Sequence, residues 1–467
     1  MIPAMTTTHA SCIDDLRSVL RADQVQTGDD IRRLHGTDSS FHDPAPPDAV
    51  VFPESVEDAV TVVRTCARHG TPMIPFGAGS SLEGHIMAVQ GGVSIDMTRM
   101  NAITRLSVED LDVTVQAGVT RRQLDARLRP EGVFFPVDPG ADATLGGMIA
   151  TGASGTTTVR YGAMRENVLS LLVVTASGEL VRTRSRARKS SAGYDLTRLF
   201  IGSEGTLGLI VEATLRVQPT PEAMYAAVLS FETLEGAVNA VTEVAQYGIP
   251  VARIELVDER SVELINRHFG FEMRVAPTLF LEFHGGEREV AEQSESVREI
   301  ATGHGMLGFE SAGDESERRR LWHARHGSYE ATKASQPGCE MLTTDVCVPV
   351  SELAATVLET QADIAEHGLN TAIVGHVGDG NFHVAVVLDP NRPEELHAAE
   401  EFHERLVRRA LARGGTCTGE HGIGYGKARF LVEEHGEAAV GLMRAIKDAL
   451  DPQGLFNPGK VAQAAGL

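Results

Sequence analysis

The sequence predicts an α+β protein of more than one domain. Three observations carry this. Up to about residue 220, three clusters of glycine and small hydroxyl residues interrupt the apolar runs. From about residue 222, strand-like runs alternate with amphipathic helices, the pattern of a second α+β domain. The 467 residues, 42% of them hydrophobic, suffice for two or three buried cores. A net charge of −22 argues against nucleic acid and anionic membrane surfaces as main partners. A small anionic substrate would then need a local positive site. Cys12, Cys66, Cys339, Cys347 and Cys417 are odd in number and widely spaced, which reads as reduced thiols of a cytosolic protein. No apolar run approaches the length of a membrane span. Met1–Ala10 lacks the basic head and apolar core of a secretory signal. The expected location is cytoplasmic, with peripheral contact at the inner membrane face left open.

In chain order, residues 11–35 read as helix, with Ile13, Leu16, Val19 and Leu20 on one face. A proline-rich link at 42–49 leads into a strand, Ala49–Phe52. Ser55 and Asp58 form a capping-box pattern for a helix that buries Val56, Ala59, Val60, Val63 and Ala67 and ends at Gly70. A strand then enters the loop Pro75-Phe76-Gly77-Ala78-Gly79-Ser80-Ser81-Leu82-Glu83-Gly84. Gly77 and Gly79 admit close backbone approach, and the N–H groups with Ser80 and Ser81 suit a phosphate. The spacing is not the dinucleotide fingerprint, and an ordinary tight turn reads the same way. Residues 136–163 are too rich in glycine for a normal helix or strand and must pack against something flat, another chain segment or a cofactor. Gly202-Ser203-Glu204-Gly205-Thr206-Leu207-Gly208-Leu209-Ile210 is a third element of this kind. Three of them favour a large cofactor over three turns. Arg182, Arg184, Arg186 and Arg188 would share one face of a strand. They read either as a docking patch for an acidic electron carrier or as a charged, solvated edge.

Beyond Thr220-Pro221, strands Met224–Phe231 and Ala276–Phe283 alternate with helices Leu234–Tyr247 and Arg288–His304. Residues 312–320 are charged and read as exposed. Arg325 follows the only Trp, Trp322, and offers either a fork for a substrate carboxylate or a surface salt bridge. The centre of the chain's chemistry is His376-Val-Gly-Asp-Gly-Asn-Phe-His383. The strand Thr371–Val377, a glycine turn and the strand Phe382–Leu388 form a hairpin that brings His376 and His383 to one end of a sheet. Glu420 adds a carboxylate, and two His with one carboxylate is a frequent plan for a catalytic divalent metal. His421 faces another way if the segment is extended, which leaves it as a base. Two structural histidines beside a turn would give the same pattern. A helix Glu400–Arg413 leads to this segment. A last helix stops at Pro452, and its tail is expected to fold back onto the first domain.

These motifs, in this order, resemble the FAD-dependent D-2-hydroxy-acid dehydrogenases of the vanillyl-alcohol-oxidase-type (PCMH) superfamily, over residues 45–460. The cytochrome-linked D-lactate dehydrogenases and the glycolate oxidase catalytic subunit are the nearest types. The resemblance implies a PCMH-type FAD-binding domain of two subdomains at 1–221, with its core at about 45–221. It implies an α+β substrate and metal domain at 222–440 and a segment returning to the FAD domain at 441–467. Pro75, Phe76, Gly77, Ala78, Gly79, Ser80, Ser81 and Gly84 would hold the FAD pyrophosphate. Pro139, Gly140, Thr144, Gly147, Gly152, Ser154 and Gly155, with the run Val159–Gly162, would lie along the flavin. Glu204, Gly205, Gly208 and Ile210 would grip the adenine side, and Asn457 would close on the cofactor. No tethering motif is present, which implies non-covalent FAD. His376, His383 and Glu420 match the ligands of a divalent metal, Zn or Mn. His421 matches the base, Arg325 the arginine for the substrate carboxylate, and Asn381 a polar residue near the substrate.

The implied reaction is oxidation of D-lactate or a similar small D-2-hydroxy acid, with hydride transfer to flavin N5. Electrons would pass on to a cytochrome, quinone or flavoprotein, and a homodimer is compatible. D-2-Hydroxyglutarate dehydrogenase and glycolate oxidase are the alternatives. The Glu420-His421 pair argues against the related alkylglycerone-phosphate synthases, and the joint presence of four metal and base residues argues against a non-catalytic flavin subunit.

Overall fold

The structure is a computed structural model that describes residues 9–40 and 42–463, so most of Met1–Ala10 lies outside it. The chain forms two compact units: Met1–Ser154 with Ala163–Pro219 and Glu420–Leu467, and Gly155–Gly162 with Thr220–Gly419. The return to the first unit thus begins at Glu420 rather than at 441, and the short run 155–162 belongs to the second.

In the first unit, the expected helix over 11–35 is two helices, Ala10–Val19 and Asp29–Leu34. Between them Val25 and Gln26 leave the helix to pair with Val51 and Val50, and the buried Gln24 amide donates to Phe52 O and Asp58. Val19 is consequently exposed rather than on a buried face. The helix Val56–His69 starts as expected: Ser55 Oγ accepts from Asp58 N, and Gly70 ends it at φ 62°. Such a cap contributes about 1 kcal/mol. A four-stranded sheet runs Val25–Gln26, Ala49–Val51, Val93–Asp96, Met73–Phe76, and its last strand delivers the glycine loop.

A second, five-stranded antiparallel sheet runs Ile103–Ser107, Asp112–Gln116, Leu209–Arg216, Val168–Val174, Leu180–Arg182. One core lies over it, from Val113 and Val115 through Phe135 to Leu215. That core includes the helix Leu145–Thr151, which the glycine density of 136–163 had argued against. Thr144 caps it by accepting from Gly147 N, and Leu145, Met148 and Ile149 supply an apolar face that outweighs two glycines. The basic stretch is strand only to Arg182; Arg182 pairs with Glu212, and Arg186 with Asp110 and Asp112. Beyond Arg182 its arginines therefore share no strand face.

The second unit is one antiparallel sheet in the order Met306–Ala312, Ala223–Phe231, Thr278–Gly285, Val251–Val257, Thr371–Gly375, Asn381–Leu388, Glu340–Thr343, with Val346–Cys347 pairing beside the Asn381 strand. Residues 315–326, expected in part as an exposed charged stretch, form a helix capped by Asp314 that buries Leu321, Trp322, Ala324 and Arg325. Helix Pro393–Ala412 begins earlier than expected because Pro393 is tolerated in a first turn. Among the described residues no helix is long and apolar enough to cross a membrane.

Candidate active site and metal centre

The hairpin forms as the sequence predicts. Thr371–Gly375 pairs with Asn381–Leu388, and Val374 faces His383 across the ladder. The turn needs Gly380, whose φ is 80° and whose added Cβ would meet Val348 O at 2.0 Å. The rings of His376 and His383 end 5.6 Å apart, nearly perpendicular.

Each ring is fixed through Nδ1. His376 Nδ1 lies 2.8 Å from Glu255 Oε1, and His383 Nδ1 lies 3.0 Å from Thr344 O. This anchoring leaves Nε2 as the natural ligand atom of both rings. Glu255 is itself buried and receives Arg325 Nη2 at 2.6 Å. Arg325 is therefore not a surface ion pair. Of its fork, expected to meet a substrate carboxylate, Nη2 is held by Glu255 and Nη1 reaches Ser328 Oγ at 3.4 Å, while the buried Nε has no partner among the described residues. It stands one tier behind His376 and orients it.

Asn381 is also partly committed. Its Nδ2 donates to Asp345 Oδ1 at 2.7 Å and to Val346 O at 2.8 Å, while its buried Oδ1 has no partner among the described residues. The fully buried Asp345 also accepts from Thr418 Oγ1 at 2.7 Å, and Thr416 N donates to Cys347 O. Gly419 packs so closely on Asn381 that an added Cβ would meet Nδ2 at 2.2 Å. Residues 416–419 are thus pinned, and the next residue is Glu420. Two imidazoles with anchored Nδ1 and one carboxylate form a donor set that fits a divalent cation.

In the first unit the expected cofactor elements converge. Gly77 meets Thr144, where an added Cβ would fall 2.2 Å from Oγ1; Gly205 meets Pro75; Gly152 meets Gly202. Ser203 Oγ is buried without a partner among the described residues. Close-packed glycines and an orphaned hydroxyl fit a bound FAD. Three of the expected cofactor residues have side chains engaged with the protein itself. Glu204 is buried, and its carboxylate is spent on His85 Nε2 (3.1 Å) and on the N–H groups of Ile423 and Gly424 (2.7 Å each). Asn457 Nδ2 fastens His85 O and Glu204 O. Ile210 is a core side chain. Ser154 is occupied differently again, donating from Oγ to Glu420 Oε2 at 2.6 Å. Gly155 and the run 158–161 belong to the second unit, where Arg160 donates to Pro250 O and Tyr161 reaches His284 Nδ1 at 2.7 Å.

The residues that sequence reasoning missed are mostly charges inside apolar strands. Glu255 lies in Val251–Val257; Glu282 and His284 lie in Thr278–Gly285. Burial alone would push the Glu282 carboxyl up, but Arg253, His284 and the Trp322 N–H bring it down to about 2. An ionisable residue breaking an apolar strand run was the available signal.

Residues 47–184 match the family described as FAD binding domain, and residues 220–461 match FAD linked oxidases, C-terminal domain. A probable mitochondrial D-lactate dehydrogenase of Danio rerio is 49% identical over 98% of this chain and 93% of its own length. The mitochondrial D-lactate dehydrogenase [cytochrome] of Arabidopsis thaliana is 43% identical over 96% of this chain and 79% of its own. Among solved structures, an alkyldihydroxyacetonephosphate synthase superposes with a TM-score of 0.78 over 96% of this chain and 85% of its own; at 20% identity that likeness shows the fold alone. With both domain families matched and relatives alike over nearly the whole length, this chain belongs to the FAD-dependent D-2-hydroxy-acid dehydrogenases, among the FAD-linked oxidases with a PCMH-type flavin domain.

Proposed function

We propose that the protein oxidises D-lactate, or a similarly small D-2-hydroxy acid, to the 2-keto acid. The observation that carries this reading is the pair His376 and His383, each anchored through Nδ1 with Nε2 left to bind, in a chain that also carries Glu420-His421 and is alike over nearly its full length to relatives named for D-lactate. FAD, when bound, supplies the acceptor for two electrons, and a Zn or Mn ion held by the donor set supplies a Lewis acid for the substrate hydroxyl. The chain's own residues do the rest. His376 and His383 hold their Nε2 atoms in place because Glu255 and Thr344 O hold Nδ1. Arg325 holds Glu255 in position for that task. His421 takes the hydroxyl proton, a task that suits an imidazole near neutral pH.

A small monocarboxylate is favoured over a dicarboxylate by charge. Arg325 and Arg253 each already face a buried carboxylate, Glu255 and Glu282, so neither brings a surplus charge for a second carboxylate. The reading includes transfer of the electrons to a cytochrome, quinone or flavoprotein.

The test is anaerobic. FAD content is confirmed, and the visible flavin absorbance is followed on adding D-lactate, L-lactate, glycolate or D-2-hydroxyglutarate, with and without a chelator. Rapid bleaching by D-lactate that chelation abolishes is expected. No bleaching by any of the four, with FAD and metal present, would overturn the reading.

A further inference from the structure

We infer that Glu204, with His85, is a positioning residue for the segment 420–424, and that it sets where the His421 imidazole stands. The inference rests on the reading of His421 as the base. Every contact that carries it lies within the first unit.

The segment after Glu420 is irregular, so no strand ladder fixes it. Its N–H groups still need acceptors, because a buried unpaired N–H costs about 1–3 kcal/mol. Glu204 supplies them, with one oxygen 2.7 Å from Ile423 N and the other 2.7 Å from Gly424 N. His85 Nε2 stands 3.1 Å from the same carboxylate. Gly422 passes between the two side chains: an added Cβ would meet His85 Nε2 at 2.7 Å and Glu204 Oε1 at 2.8 Å. The residue directly after His421 is thus caught in a carboxylate–imidazole vice.

The backbone around this point is strained in a concerted way. Among the described non-glycine residues, only Leu111, Glu204, Asn457 and Val461 have positive φ. Three of these four serve the segment. Glu204 binds it, Asn457 fastens the carbonyls of Glu204 and His85, and Val461 N donates to Gly424 O at 2.8 Å. Each such residue costs on the order of 1–3 kcal/mol and persists only where its surroundings over-determine it. Mere filling of space would not require three strained residues around one segment. Holding one backbone path does. Glu204, buried and ionised, binds two N–H groups as charge-assisted hydrogen bonds, about twice as strong as neutral ones.

The test uses the FAD-loaded protein. Glu204→Gln keeps the volume and one acceptor oxygen but sets an amide N–H₂ against the second backbone N–H. FAD content and the KM for D-lactate are expected to stay within about threefold, while the limiting rate of flavin reduction falls about 10–100-fold, the cost of a misplaced reacting group. A limiting rate within about twofold of wild type would overturn the inference. A second measurement needs no variant to fold: hydrogen exchange on the wild type should show the 422–424 amides protected like those of the strand Leu209–Arg216. Exchange there at the rate of an exposed loop would overturn it as well. His421→Ala separates the two readings. If that variant keeps its rate, the base assignment falls, while hydrogen exchange still decides whether Glu204 holds the segment.

Discussion

The histidine hairpin and the segment 420–424 are held by opposite means. The hairpin takes its shape from a ladder: Ile373 faces Val384, Val374 faces His383, and its one left-handed residue in the turn is Gly380. Glycine adopts that conformation without steric cost. The segment 420–424 has no ladder and borrows its path from side chains, at the cost of strain in Glu204, Asn457 and Val461. A ladder spreads its hold over many weak bonds and tolerates the loss of one. A side-chain clamp concentrates the hold in one carboxylate, which makes it accurate and vulnerable.

His421→Ala should lower the limiting rate of flavin reduction by about 10²–10⁴-fold while FAD stays bound, as loss of a general base does; stopped-flow absorbance reads this directly. Next comes the buried charge behind the hairpin. Arg325→Met leaves Glu255 buried at 1% exposure without its cation, and should cost about 3–5 kcal/mol in urea unfolding. If Arg325 met only a substrate, stability would not move.

The third test is acid. Glu282 titrates at about 2 when folded, against 4.5 for an ordinary Glu. A depressed carboxylate pKa contributes stability that is complete above about 4.5 and is lost as pH falls towards 2, here about 3 kcal/mol. Unfolding free energies measured between pH 6 and pH 2.5 should fall along this course, and Glu282→Gln should flatten it. The smallest effect belongs to Ser154→Ala. It removes the hydroxyl that donates to Glu420 and should weaken metal binding by about tenfold with little change in FAD content, read by competitive chelation.

The difference between the two regions also explains what was legible beforehand. The hairpin could be read because apolar runs of strand length flank Gly378-Asp379-Gly380, and a period of two places both histidines at one end. Helix Val56–His69 could be read because Ser55, Asp58 and Gly70 mark its ends. The helix Leu145–Thr151 was missed because its glycines outweighed Leu145, Met148 and Ile149 when composition alone was considered. Glu204 was placed with the cofactor because its neighbours Gly202, Gly205 and Gly208 form a motif. The partners of its carboxylate, His85, Ile423 and Gly424, are separated from it by more than a hundred residues, and no local pattern records such a pairing. Arg325 was read as a clamp because Glu255, which claims it, lies 70 positions earlier in a run that otherwise reads as plain apolar strand.

The first unit closes only with residues from Glu420 onward, whereas the 200 residues from Thr220 to Gly419 belong to the second. Lys447 donates to Thr206 O and Asn457 to Glu204 O, so the last turns of the chain complete a core begun by its first half. A ribosome adding about 5–20 residues per second needs about 10–40 s to cross that insertion. Throughout that interval the nascent first unit presents the Glu204 carboxylate and the edge of the Met73–Phe76 strand without their C-terminal cover. Ribosome-bound chains stalled before residue 420 are therefore the stage at which this enzyme should depend most on chaperones and be cut most readily by proteases.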